Sequence, residues 1–121
     1  MNYKEILSGL WIGNNNTYLN TGFHNKKKIE YSINCNLNNE DNIVDFLLNI
    51  TKLIHKKLQQ HQNILLYSIN TQYAAVTVGA YLIQYGNISS RNVINIIYNK
   101  YTRAFKDKFF QNLLIEFEDN I

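Results

Sequence analysis

Proline is absent from this chain of 121 residues, glycine occurs five times, and cysteine occurs once. The single cysteine, Cys35, excludes an intramolecular disulfide and a zinc site built on several thiolates. With so few glycines there is little material for a Gly-rich loop that curls around phosphate. No apolar run approaches the length of a membrane span. The opening Met1-Asn2-Tyr3-Lys4-Glu5 is not followed by the apolar stretch of a signal peptide, so a cytoplasmic, intracellular protein is expected. Hydrophobic residues at 45% against charged residues at 17% describe a folding chain and exclude a disordered tail. The length suits one domain over residues 1–121 with a single modest core.

The formal net charge is only +3, well short of a nucleic-acid-binding arm. The longest basic run, Lys26-Lys27-Lys28, reads as a solvated loop. Lys100, Arg103, Lys106 and Lys108 with Tyr98 and Tyr101 offer a weak nucleic-acid alternative, for which a solvated surface is the commoner explanation. Asn, Ile, Lys and Tyr are frequent and share AT-rich codons, which suggests an AT-rich source genome such as that of a large DNA virus or a protist.

Periodicity divides the chain. Residues 5–13 form an apolar pair of strands, or a strand with a turn at Ser8-Gly9. Asn14 to Thr17 suits the cap of a short helix near 17–23. Ile29, Tyr31, Ile33 and Cys35 alternate with polar neighbours as in a strand. From Ile43 the spacing changes, and Phe46, Leu47, Ile50, Ile54 and Leu58 line one helix face. Asn63 to Ile69 reads as a buried strand, and Ala74 to Tyr85 as a buried helix whose small residues permit close packing. Ser89 or Ser90 caps the next helix, and Asp107 the last, with Phe109, Phe110, Leu113, Leu114 and Phe117 inward. A sheet layered with helices, an α/β fold, follows.

The segment Asn63-Ile64-Leu65-Leu66-Tyr67-Ser68, a short loop, and then Val78-Gly79-Ala80-Tyr81-Leu82-Ile83 resembles the core of the dual-specificity protein phosphatases. Other matches fall in order: Gly9-Leu10-Trp11-Ile12-Gly13, Tyr31-Ser32-Ile33-Asn34, Phe46 with Leu53-Ile54, Ser89 to Val93, and Phe109 to Glu118. The resemblance spans nearly the whole chain. It implies a compact three-layer α/β fold with a central, mostly parallel sheet flanked by helices.

The family's signature, His-Cys-x-x-Gly-x-x-Arg-Ser, is where the chain departs. The alignment puts Tyr67 at the His, Ser68 at the nucleophilic Cys, Tyr73 at the Arg and Ala74 at the following Ser. The intervening Ile69, Asn70, Thr71 and Gln72 are one residue short and hold no glycine. A serine hydroxyl lacks the thiolate's accessible anion, and a tyrosine lacks the guanidinium that grips two phosphate oxygens. Ser68 therefore reads as a small hydroxyl bonded at a strand end, not as a nucleophile. The family's general acid corresponds to Asp41, with Glu40 beside it. Both also read as charges favoured by the dipole of the helix that follows.

His24, His55 and His61 share no ligand spacing, and His55 and His61 are expected to face solvent; no metal or cofactor is expected. Tyr67 and Tyr73 either plug the pocket together or pack separately against the sheet. Cys35 reads as a buried structural thiol. The resemblance then implies a pseudophosphatase that acts by binding protein: an active phosphatase, a phosphoprotein, or a second copy as a homodimer. The alternatives are a residual phosphoresidue-binding module, using free N–H groups near Gln72-Tyr73-Ala74, and an active phosphatase with a non-standard site.

Overall fold

The computed structural model describes residues 2–37 and 42–121. A hairpin begins the chain, β1 (Tyr3–Leu7) and β2 (Leu10–Asn14), turning at Ser8-Gly9 as the sequence predicts. Gly9 takes φ +82°, a left-handed conformation natural to glycine, and its N–H donates to the Glu5 carboxylate at 3.0 Å. Two short helices follow, α1 (Asn15–Leu19) and α2 (Thr21–Lys27), where the sequence suggests one. Asn20 is the reason: it closes α1 and opens α2, its side chain accepting from the Phe23 N–H at 3.0 Å. The lysine run is correspondingly not a loop; Lys26 and Lys27 form the last turn of α2 and Lys28 closes it at φ +54°.

Strand β3 (Tyr31–Asn34) is shorter than the alternation suggests, with Ile29 outside it and Cys35 just beyond its end. Helix α3 (Ile43–Gln59), strand β4 (Ile64–Ser68) and helices α4 (Gln72–Gly86), α5 (Ser90–Lys100) and α6 (Lys108–Asp119) complete the chain. Ser89 caps α5 and Asp107 caps α6, as expected. Phe109, expected inward, is instead 52% exposed, because it stands in the first turn at the edge of the inward stripe of Phe110, Leu113, Leu114 and Phe117.

The sheet order is β1-β2-β4-β3. β4 lies between β2 and β3 and is parallel to both; β1 and β2 are antiparallel. Side chains alternate across a strand, so β4 serves two layers. Ile64 and Leu66 join the main core with Ile6, Leu10, Ile12 and Ile33. Tyr67 points the other way and meets Tyr18 of α1, while Trp11 of β2 meets Phe23 of α2. Helices thus cover both faces of the sheet.

Helix α4 is the centre of the larger layer, touching α3, α5, α6 and the sheet. It is buried from Ala74 to Ala80 without a break. A Cβ on Gly79 would lie 2.6 Å from Leu114 Cδ1 and 3.2 Å from Val93 Cγ1, so the missing side chain is what lets α5 and α6 approach α4. Among the described residues no helix is long and apolar enough to cross a membrane.

Candidate functional site

Parallel strands β2, β4 and β3 all point their C-terminal ends at the connection into α4, where α/β sheets usually place their ligands. That connection is Ile69-Asn70-Thr71. It is tight, and Thr71 sits in the left-handed region at φ +66°, ψ −14°. A β-branched residue there is strained. Thr71 is buried, and its hydroxyl bonds to the Asn70 carbonyl and lies 3.2 Å from the Tyr101 hydroxyl.

Ser68 is fully buried, and its Oγ accepts from the Ala74 N–H at 3.1 Å. It belongs to the β4 face that looks into the core, and from there it caps α4 from outside the helix. The N-cap position itself, Thr71, makes no side-chain cap bond. The Gln72 N–H donates to Asn70 Oδ1 at 3.1 Å and the Ile69 N–H to Asn36 Oδ1 at 3.0 Å. Of the amides expected to be free for an anion, those of Gln72 and Ala74 are thus engaged by neutral oxygens of the chain itself, as is that of Ile69 before them.

The Gln72 side chain turns the other way. Its Nε2 donates to the Arg103 carbonyl, and its Oε1 accepts from the Phe105 N–H at 3.0 Å. Phe105 is buried with φ +60°, another strained non-glycine position, and Gln111 Nε2 holds its carbonyl at 2.7 Å. Gln72 therefore fastens the start of α4 to the α5–α6 connection.

Tyr67 and Tyr73 do not form one plug. Tyr67 stacks on Tyr18 with ring centroids 4.0 Å apart and planes 7° apart. Its phenol is pushed up by desolvation and by Tyr18, so it stays neutral. Tyr73 meets Phe110 edge-on at 5.2 Å, on the α6 side. Period-two alternation separates Tyr67 from the α4 side, and helical geometry sends Tyr73 towards α6.

Cys35 is buried, as expected, and its thiol donates to the Ile33 carbonyl at 3.6 Å. Burial pushes that thiol up to about 12, so at neutral pH no thiolate is present. The chain's arginines stand elsewhere than the loop: Arg91 is exposed in the first turn of α5, and Arg103 follows α5 with its guanidinium on Asn2 Oδ1. Asp41 and Glu40 lie outside the described residues. Asn42 directly after them caps α3, accepting from the Val44 and Asp45 N–H groups at 3.0 and 3.2 Å.

His55 corrects an expectation. It is half-buried, stacked on Tyr85 at 4.1 Å, with Nδ1 3.2 Å from the Tyr81 hydroxyl. His61 is exposed as predicted. Among the described residues no three metal-ligating side chains come together. Tyr101 is buried, which removes it from the basic, aromatic face considered for nucleic acid.

Sequence reasoning missed Asn36, and it named Gln72 as a loop position without its clasp on the α5–α6 connection. Strand register is the signal that locates Asn36. Tyr31 pairs with Ile64 and Asn34 with Tyr67, so the same offset brings Asn36 beside Ile69. Nothing local in the sequence announces the Gln72 clasp.

No protein-family model matches the chain, and no curated protein matches it by sequence. Solved structures do match in three dimensions. A leucine-rich-repeat and phosphatase-domain protein from Entamoeba histolytica has TM-score 0.86 and 19% identity, covering 98% of this chain and 91% of that one. The human tyrosine phosphatase-like serine/threonine/tyrosine-interacting protein has TM-score 0.81 and 18% identity, covering 98% and 96%. Human DUSP28 has TM-score 0.81 and 12% identity, covering 98% and 94%. With both chains covered almost end to end at TM-scores above 0.8, this chain has the dual-specificity phosphatase fold.

Proposed function

We propose that this protein is a pseudophosphatase, a dual-specificity phosphatase fold without phosphoryl-transfer chemistry, acting by binding protein. The observation that carries this reading is the state of the loop before α4. In a working site its amide hydrogens converge on phosphate oxygens beside a thiolate and an arginine. Here the Ile69, Gln72 and Ala74 amides are spent on Asn36, Asn70 and Ser68. Residues 68–74 contain no cysteine, arginine or glycine. The one thiol, on Cys35, is buried and protonated.

A core kept intact around such a loop supports a role in recognition. The partner is an active phosphatase, a phosphoprotein, or a second copy of the chain. A lone free thiol fits an intracellular setting, and the abundance of residues with AT-rich codons fits a large DNA virus or a protist as source.

A phosphotyrosine peptide titrated into labelled protein tests the loop. The amide resonances of Ile69, Gln72 and Ala74 are expected to stay in place at millimolar ligand. Saturable shifts confined to these amides would show that the loop opens for phosphate, and the reading would fail.

A further inference from the structure

We propose that a groove running from the α4 loop to α2 is a docking site for an extended acidic segment of a partner protein. This deepens the protein-binding reading by giving it a surface and a ligand chemistry.

Three hollows, of about 250, 210 and 290 Å³, run into one another through shared walls. The first, by Asn70, Thr71 and Gln72, shares Asn2 and Asn14 with the second. The second shares Tyr3, Asn20 and Phe23 with the third, which ends at Lys26 and Lys27.

Among the described residues the charge lining this groove has one sign: Arg103 lies at one end and Lys26 and Lys27 at the other, and no described carboxylate lines any of the three hollows. Nearby acids are engaged elsewhere, Glu5 on the Gly9 N–H and Glu30 on the Asn63 N–H. Both ends are positioned. Arg103 is fixed by Asn2 and, through its carbonyl, by Gln72; Lys27 Nζ lies 5.1 Å from the centroid of the Trp11 ring.

Between the cations the wall is made of amides. Asn14 Oδ1 accepts from the Thr17 N–H and Asn20 Oδ1 from the Phe23 N–H, so capping uses their oxygens. What these side chains offer a ligand is N–H donors. A donor-rich, cationic groove matches a ligand rich in acceptors, with carboxylates near its ends and exposed backbone carbonyls between them.

The aromatic residues favour peptide over nucleic acid. Tyr3, Trp11 and Phe23 pack against one another, centroids 4.6 to 5.9 Å apart and planes tilted by 56° to 86°. Phe23 is only 6% exposed. The Phe23 ring is therefore closed to stacking by bases, and the Trp11 ring carries the Lys27 ammonium.

Fluorescence anisotropy with a fluorescein-labelled peptide of alternating Glu and Ser tests the proposal. Saturable binding is expected. Lys26→Gln with Lys27→Gln should weaken it roughly fivefold or more, as should Arg103→Gln. Lys52→Gln with Lys56→Gln, the same charge change on the exposed side of α3, should leave it unaltered. Absence of saturable binding, equal weakening by the α3 pair, or tighter binding of an oligothymidylate of equal charge would each overturn the proposal. If Arg103→Gln loses its fold, the exposed lysine pairs decide alone. Failure here leaves the phosphotyrosine titration untouched, so the groove and the pseudophosphatase reading fall separately.

Discussion

Ser68→Ala should cost the fold about 1–3 kcal/mol, and the loss should appear as a lower urea midpoint with an unchanged slope. Ser68 Oγ accepts the Ala74 N–H at 3.1 Å, and both residues are fully buried. Without the oxygen, that N–H has neither water nor an acceptor. Losing a helix cap typically costs about 0.5–2 kcal/mol, and leaving a buried donor unsatisfied adds to it. Ser68→Cys should fall between wild type and Ser68→Ala, since sulfur is a weaker acceptor. The direction discriminates between roles. A hydroxyl kept for chemistry is generally not needed for stability, so an unchanged or raised midpoint in Ser68→Ala would mean that its bond to α4 is incidental.

A larger loss is expected from Phe117→Ala, about 3–5 kcal/mol, a substantial part of the roughly 5–15 kcal/mol that holds a typical domain together. Phe117 is fully buried on the inner face of α6. Its truncation removes apolar burial and leaves a cavity among the buried side chains of the main core. Glu118 next to it accepts from the Ser90 N–H and hydroxyl, both at 2.8 Å, and so satisfies the N-terminus of α5. Loosening α6 should therefore loosen α5 as well, and hydrogen exchange should show both helices losing protection together. A loss below about 1 kcal/mol by denaturant titration would mean that the core end of α6 is not close-packed.

Much of this arrangement is legible in the sequence because it rests on local pattern. The unbroken apolar stretch with small residues announces α4 as the buried helix, and Gly79 turns out to be where α5 and α6 press closest. The short apolar run bounded by polar residues gives β4, and the pleat of a strand then sets Ser68 and Tyr67 on opposite faces. The loop's lack of cysteine, arginine and glycine is plain from residues 68–74 alone.

What escapes the sequence is non-local or hidden in a common residue. Asparagine is common along the chain, so nothing marks Asn20 as the break between α1 and α2, Asn70 as the acceptor for Gln72, or Asn36 as the acceptor for Ile69. Asn36 and Ile69 are brought together only by pairing of β3 with β4. His55 looks solvent-facing on its helix, yet Tyr81 and Tyr85 of α4 take its ring. The Gln72 and Ala74 N–H groups read as free in sequence because their acceptors, Asn70 Oδ1 and Ser68 Oγ, come from a turn and a strand end.

Turnover is the most direct measure of the central claim, that the fold stands here without its chemistry. Purified protein assayed on p-nitrophenyl phosphate, a phosphotyrosine peptide and an RNA 5′-phosphate should release phosphate no faster than buffer. Ser68→Cys should do no better, because the arginine and the glycine-bearing loop remain missing. Release of phosphate by the wild-type protein that disappears in Ser68→Ala would contradict the account and make Ser68 a nucleophile.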